Sequence, residues 1–205
     1  MRRAAHAISV VLHPLWMPTI TLALCFRIDP RLTLYFSPAG AWLLLGTVFV
    51  MTALFPLTSA WTMLRSGLIA SLDMRTRNER LPAYFMALLY FALCYYLMWR
   101  VPNDALTMSL LFGSFLALLL TLLITLRWKI SAHMVGAGGV IGALVAVLLL
   151  HGAPAEPALV AAFVLAGLLG TARLLDSDHT PVQVYAGGVL GCASVLGCAW
   201  SGLFI

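Results

Sequence analysis

Polar and apolar positions alternate along this chain on the scale of whole segments. Apolar runs cover residues 7–26, 39–64, 83–100, 105–127, 132–151, 157–175 and 181–205. Each is close to the roughly 20 residues that a helix needs to cross about 30 Å of hydrocarbon. The pattern predicts an all-α fold, a polytopic transmembrane helix bundle of six to seven spans. The uncertain member is the first segment, which prolines interrupt. If it crosses, there are seven spans, the reading favoured here; if it is re-entrant, six remain. That run follows Arg2 and Arg3, contains His13, Pro14 and Pro18, and lacks an Ala-x-Ala site, so it reads as a retained segment and not a cleaved signal peptide. Pro30 and Pro38, then Pro102 with Asn103 and Asp104, then Gly152, Pro154 and Pro157 mark short, chemically plain turns. With no repeat, low-complexity tract or linker to divide it, the chain 1–205 reads as a single integral membrane domain.

Composition removes the soluble alternative. Of 205 residues 62% are hydrophobic and 9% charged, against about 25% charged in an average soluble domain. The net charge of +5, from 12 Lys and Arg against 7 acids, falls between the spans. The partners it implies are the bilayer and its phosphorylated lipids, and no nucleic acid. Cys25, Cys94, Cys192 and Cys198 all lie in apolar segments without a Cys-x-x-Cys pair, and they read as small core residues.

Nearly all the remaining polar residues fall in three connections, residues 71–82, 129–133 and 173–183, which share one face if every segment crosses. Ionisable groups near a bilayer are costly unless they are paired or functional. Each stretch opens or closes a helix, where unpaired backbone N–H groups and basic side chains together favour an anion. Arg80, Lys129 and Arg173 bring positive charge, and Ser131 brings a hydrogen-bond donor. His133 and His179 add groups that exchange protons near neutral pH. These are the parts of phosphoryl transfer: charge neutralisation, a nucleophile or base, and an acid for the leaving oxygen.

Order and spacing resemble the type 2 phosphatidic acid phosphatase superfamily, whose motifs read Lys-x6-Arg-Pro, Pro-Ser-Gly-His and Ser-Arg-x5-His-x3-Asp. Arg173 and His179 keep the third motif's separation, and Gln183 stands at its aspartate. Ser131 and His133 keep their places in the second. The first is represented by Arg80-Leu81-Pro82, with an inserted leucine and Asp73 at the lysine position. The resemblance spans roughly residues 73–190. It implies a core like that of the superfamily and a hydrolase of membrane phospholipid metabolism with a phosphohistidine intermediate. His179 would attack phosphorus, His133 would protonate the departing alkoxide, and Gln183 would orient His179. Arg80, Arg173 and Ser131 would hold the phosphate oxygens, and Lys129 joins them by its position. No metal and no cofactor is implied.

Because Gln183 brings no charge, two further functions stay open: a lipid phosphotransferase in which an alcohol replaces water, and a non-catalytic lipid-phosphate binder or transporter on the same fold. Asp176 and Asp178 are alternative partners for His179, and Asp73 and Glu79 are expected to pair with Arg75, Arg77 or Arg80. Gly136, Gly138 and Gly139 read as helix-packing residues, His13 as structural, and Arg2, Arg3, Arg65 and Arg127 as topology and headgroup anchors. With seven spans, Arg2, Arg3, Arg65, Arg75, Arg77, Arg80, Arg127, Lys129 and Arg173 face Arg27, Arg31 and Arg100 across the membrane. The positive-inside rule then puts the site on the cytoplasmic face of a bacterial inner (plasma) membrane.

Overall fold

A computed structural model describes residues 2–72, 74, 76–176 and 179–202. The described residues are mostly helical, without strands, and contain seven helical stretches long and apolar enough to cross a membrane: Arg3–Ile28, Pro38–Arg65, Arg77–Trp99, Ala105–Thr125, Ala132–His151, Glu156–Asp176 and Pro181–Trp200. This is a multi-pass membrane protein.

Two of the seven stretches are not simple helices. The first divides into α1 (Arg2–Val11), a 3₁₀ turn at Pro14–Trp16, and α2 (Met17–Ile28). Pro14 and Pro18 supply no backbone N–H to an incoming helix, so α1 cannot run on into α2. His13 closes the break, its Nδ1 accepting from Leu15 N–H at 3.4 Å. The second stretch joins α3 (Pro38–Phe49) to α4 (Phe55–Arg65) through a π turn at Val50–Leu54, just before Pro56. A wider turn there absorbs the proline's missing donor. The other five are α5 (Arg77–Trp99), α6 (Ala105–Thr125), α7 (Ala132–His151), α8 (Glu156–Asp176) and α9 (Pro181–Trp200).

Helix α7 is the centre of the bundle, packed against α2, α6, α8 and α9, while α4 lies on α5 and α1 on α8. Lipid tails are as apolar as leucine, so close packing, not water exclusion, must hold such helices together. The α7–α9 pair shows how. A Cβ on Gly138 would collide with the Gly188 carbonyl, and one on Gly191 with the Val135 carbonyl. Two glycine-lined faces therefore meet backbone to backbone. The expected packing role holds for Gly138 and also for Gly136, where a Cβ would come within 2.9 Å of Met17 and 3.3 Å of Pro14, and Gly136 and Gly139 also border a cavity.

The apolar core is largest in one half of the bundle, with smaller clusters in the other. Leu22, Cys25, Leu44, Val48, Cys94, Leu110, Ala143 and Val147 belong to its main cluster. At that far end, buried Asp29 receives the Nε and Nη2 donors of Arg31 at 2.8 and 3.1 Å and lies 2.6 Å from His151 Nδ1. This ties the end of α2 to the end of α7. All four cysteines are free thiols, three of them buried. At the opposite end, toward the connections 66–76 and 126–131, the core gives way to the cavity.

Candidate functional site

Helices α5, α7 and α9 all begin at the polar end, so the positive ends of three helix dipoles open there. At the start of α9, Thr180 and Gln183 cap each other: Gln183 N–H donates to Thr180 Oγ1 and Thr180 N–H to Gln183 Oε1. The same amide oxygen accepts from His179 Nδ1 at 3.1 Å. A carbonyl-type acceptor places the ring proton on Nδ1 and leaves the lone pair on Nε2. Burial pushes His179 down to about 4, the charges of Arg80, Lys129 and Arg173 push the same way, and only the Gln183 oxygen opposes them. The ring is therefore neutral at neutral pH, the form a nucleophile needs.

Because α7 and α9 touch along their backbones, the start of α7 sits beside this cap, and Ser131 N–H donates to the Gln183 carbonyl at 3.3 Å. Two residues on, His133 Nε2 lies 3.1 Å from the Ser9 carbonyl of α1. Donation to that carbonyl leaves Nδ1 as the nitrogen open to exchange. The His13 ring meets His133 edge-on, with centroids 5.2 Å apart. Arg80, buried in the first turns of α5, donates through Nε to the Met74 carbonyl at 2.7 Å.

These groups share one cavity of about 560 Å³, lined by Arg80, Lys129, His133, Arg173 and His179, and on its α1 side by His6 and His13. Five residues expected from sequence thus converge from three separate parts of the chain, with Gln183 behind His179. Ser131 does not join them. It is fully buried, lies outside the cavity wall, and its Oγ has no hydrogen-bond partner among the described residues. Asp176, considered as His179's partner, instead stands 3.4 Å from His6 Nδ1. Glu79 accepts from Ala70 N–H, Thr76 N–H and Thr76 Oγ1, so it caps the start of α5. Asp73, Arg75 and Asp178 lie outside the described residues.

The cavity wall also holds His13, which sequence reasoning assigned to structure alone and which does cap the turn before α2. The signal was present: an ionisable residue before proline inside an apolar run. Among the described residues, no three His, Cys, Asp or Glu side chains are grouped so as to hold a metal ion. No family model matches the chain, and neither a curated protein nor a solved structure does. What the site does must be argued from its own groups.

Proposed function

We propose that this chain is a membrane enzyme that removes phosphate from a lipid phosphate through a phosphohistidine intermediate, as its resemblance to the type 2 phosphatidic acid phosphatases implies. The observation that carries the reading is His179: a neutral ring oriented by Gln183 Oε1, on the wall of a cavity shared with Arg80, Lys129, Arg173 and His133. A lipid phosphate monoester carries about −1.5 to −2 charges at neutral pH. The three cations balance that charge and stabilise its redistribution over the equatorial oxygens in the transition state.

In the first step the Nε2 lone pair of His179 forms a bond to phosphorus as the ester P–O bond breaks. The leaving alkoxide takes a proton from Nδ1 of doubly protonated His133, whose Nε2–H is held by the Ser9 carbonyl. Water then gives its proton back to His133 and attacks phosphorus. The P–N bond breaks, and inorganic phosphate and neutral His179 are released. Gln183 holds the ring throughout, stabilising the phosphorylated cation by a dipole where a carboxylate would use a full charge.

Under this reading the site belongs to the cytoplasmic face of a bacterial inner membrane, because Arg3, Arg65, Arg77, Arg80, Arg127, Lys129 and Arg173 share its side, against Arg27, Arg31 and Arg100 at the other end. The test is phosphate release by the purified protein from a panel of lipid phosphates, with the His179→Ala variant as control. Release by the native chain alone supports the reading. Equal release by both, or none from any member of the panel, overturns it.

A further inference from the structure

The cavity is much larger than a phosphate needs. Below the cationic groups it continues toward the middle of the membrane, along α5 from Arg80 past Ala87 to Phe91. That is a descent of about 16 Å, close to half the thickness of the hydrocarbon layer. On the facing walls it reaches Ser114 and Thr121 of α6 and Val140 of α7.

The chemistry of this shaft is uniform. Below the level of Ser9 and Tyr84, which stand beside His133 and Arg80, its aliphatic and aromatic lining is interrupted by three hydroxyls, and each is turned back on its own helix. Thr21 donates to the Met17 carbonyl at 2.7 Å, Thr121 to Ala117 at 2.7 Å, and Ser114 to Leu110 at 2.9 Å. None of these donors is offered to an occupant, so a sugar or other polar group placed there would lose its hydrogen bonds. A hydrocarbon would lose nothing.

Shape limits how much hydrocarbon enters. The descent of about 16 Å takes a straight chain of about a dozen carbons below the phosphate. A glycerol phosphate with two long acyl chains carries one more than the shaft is built to follow. Its second chain would branch a few bonds from phosphorus, where Arg80, Arg173 and His179 are buried and the Ser9–His133 contact holds α1 across the site.

Access is lateral. Val10 of α1 and Leu57 of α4 both line the cavity and are exposed on the bundle's outer surface. We infer that the phosphate is presented on a single hydrocarbon chain, which slides in between α1 and α4 and lies in the shaft beneath the cationic site. This rests on the phosphate placement proposed above and adds the class of molecule that carries it. Moving a chain from lipid to the shaft brings no net hydrophobic gain. Selectivity must therefore come from fit.

The test measures equilibrium binding of radiolabelled dodecyl phosphate, dipalmitoyl phosphatidate and inorganic phosphate in phosphatidylcholine nanodiscs. His179→Ala protein is used so that nothing turns over. At equal mole fraction, dodecyl phosphate should bind about tenfold or more tightly than the diacyl lipid, a difference of about 1.4 kcal/mol. Adding Ala87→Leu, which narrows the shaft, should remove most of that preference and leave inorganic phosphate binding unchanged. Phe91→Ala, which deepens the shaft, should shift the preference from dodecyl toward hexadecyl phosphate even if the first variant folds poorly. Equal binding of one-chain and two-chain phosphates, or shaft variants without effect, overturns the inference. Selective dodecyl phosphate binding without phosphate release by the native chain would uphold it and sink the phosphatase reading instead.

Discussion

At the far end of the bundle, buried Asp29 takes two hydrogen bonds from the Arg31 side chain and one from His151. At the polar end, Arg80, Lys129 and Arg173 meet His13, His133 and His179 on a cavity wall where Asp176 is the one carboxylate among the described residues. The first cluster closes on itself. Burial alone would raise the Asp29 carboxyl, but the hydrogen bonds from Arg31 and His151 outweigh it and hold the group below its usual value. The second cluster, counted over the described residues, gathers more cations than carboxylates around a space. Since charge near a bilayer must be balanced or used, the contrast separates a latch from a binding site made of similar residue types.

The sharpest way to break the contrast is to remove one histidine from each end. His179→Ala should lower phosphate release by about 10⁴-fold or more, because an absent nucleophile is not replaced by its neighbours. Its thermal unfolding should move little, since one side-chain hydrogen bond contributes about 1 kcal/mol. His151→Ala should do the reverse, leaving turnover per folded molecule intact.

Gln183 sharpens the comparison further, since an amide stands against His179 where the carboxylate of Asp29 stands against His151. Its Oε1 reaches both His179 Nδ1 and Thr180 N–H at 3.1 Å. Gln183→Glu keeps that reach and adds charge, whereas Gln183→Asp is one methylene short. The glutamate variant should raise kcat/KM about tenfold, and Gln183→Leu should lower it by a similar factor. In the native chain the acid limb of kcat/KM that reports free His179 should fall near 4. A carboxylate at 183 should move that limb upward, since a nearby negative charge favours the imidazolium. The same depression makes folding stability fall as pH drops from the ordinary histidine range near 6.5 toward about 4, because the unfolded chain then binds the extra proton.

Asp29→Asn should destabilise the protein by about 2 kcal/mol, less than a fully buried ion pair would give because Arg31 is largely exposed. Denaturation in detergent measures this, and phosphate release per folded molecule should be unchanged. The smallest effect belongs to His13→Ala, which removes the ring packed against His133. It should reduce kcat a few-fold, measured by the same assay, and Tm slightly.

Much of the fold was legible because a membrane span announces itself by length and composition, and the segments 105–127, 132–151 and 157–175 are close to α6, α7 and α8. The break between α1 and α2 was visible as His13-Pro14, but only the packing of α1 on α8 shows that it brings Ser9 and His13 to the site. That Arg80, His133, Arg173, His179 and Gln183 come together was legible because the connections that hold them fall at helix ends on one face, where Lys129 joins them by position. Ser131 kept its motif position, yet the tight α7–α9 contact buries its hydroxyl away from the cavity. The Asp29–His151 latch could not be read at all: its partners lie 122 residues apart and form no local pattern.

The most direct measurement is a rapid-quench experiment with a phosphorus-labelled lipid phosphate, followed by peptide mapping under alkaline conditions that preserve phosphohistidine. An acid-labile phosphoryl group should appear on His179 of the native chain, form and decay fast enough to carry turnover, and be absent from His179→Ala. Turnover without any label on His179, or label on His133 in its place, would contradict the assignment of His179 as the nucleophile.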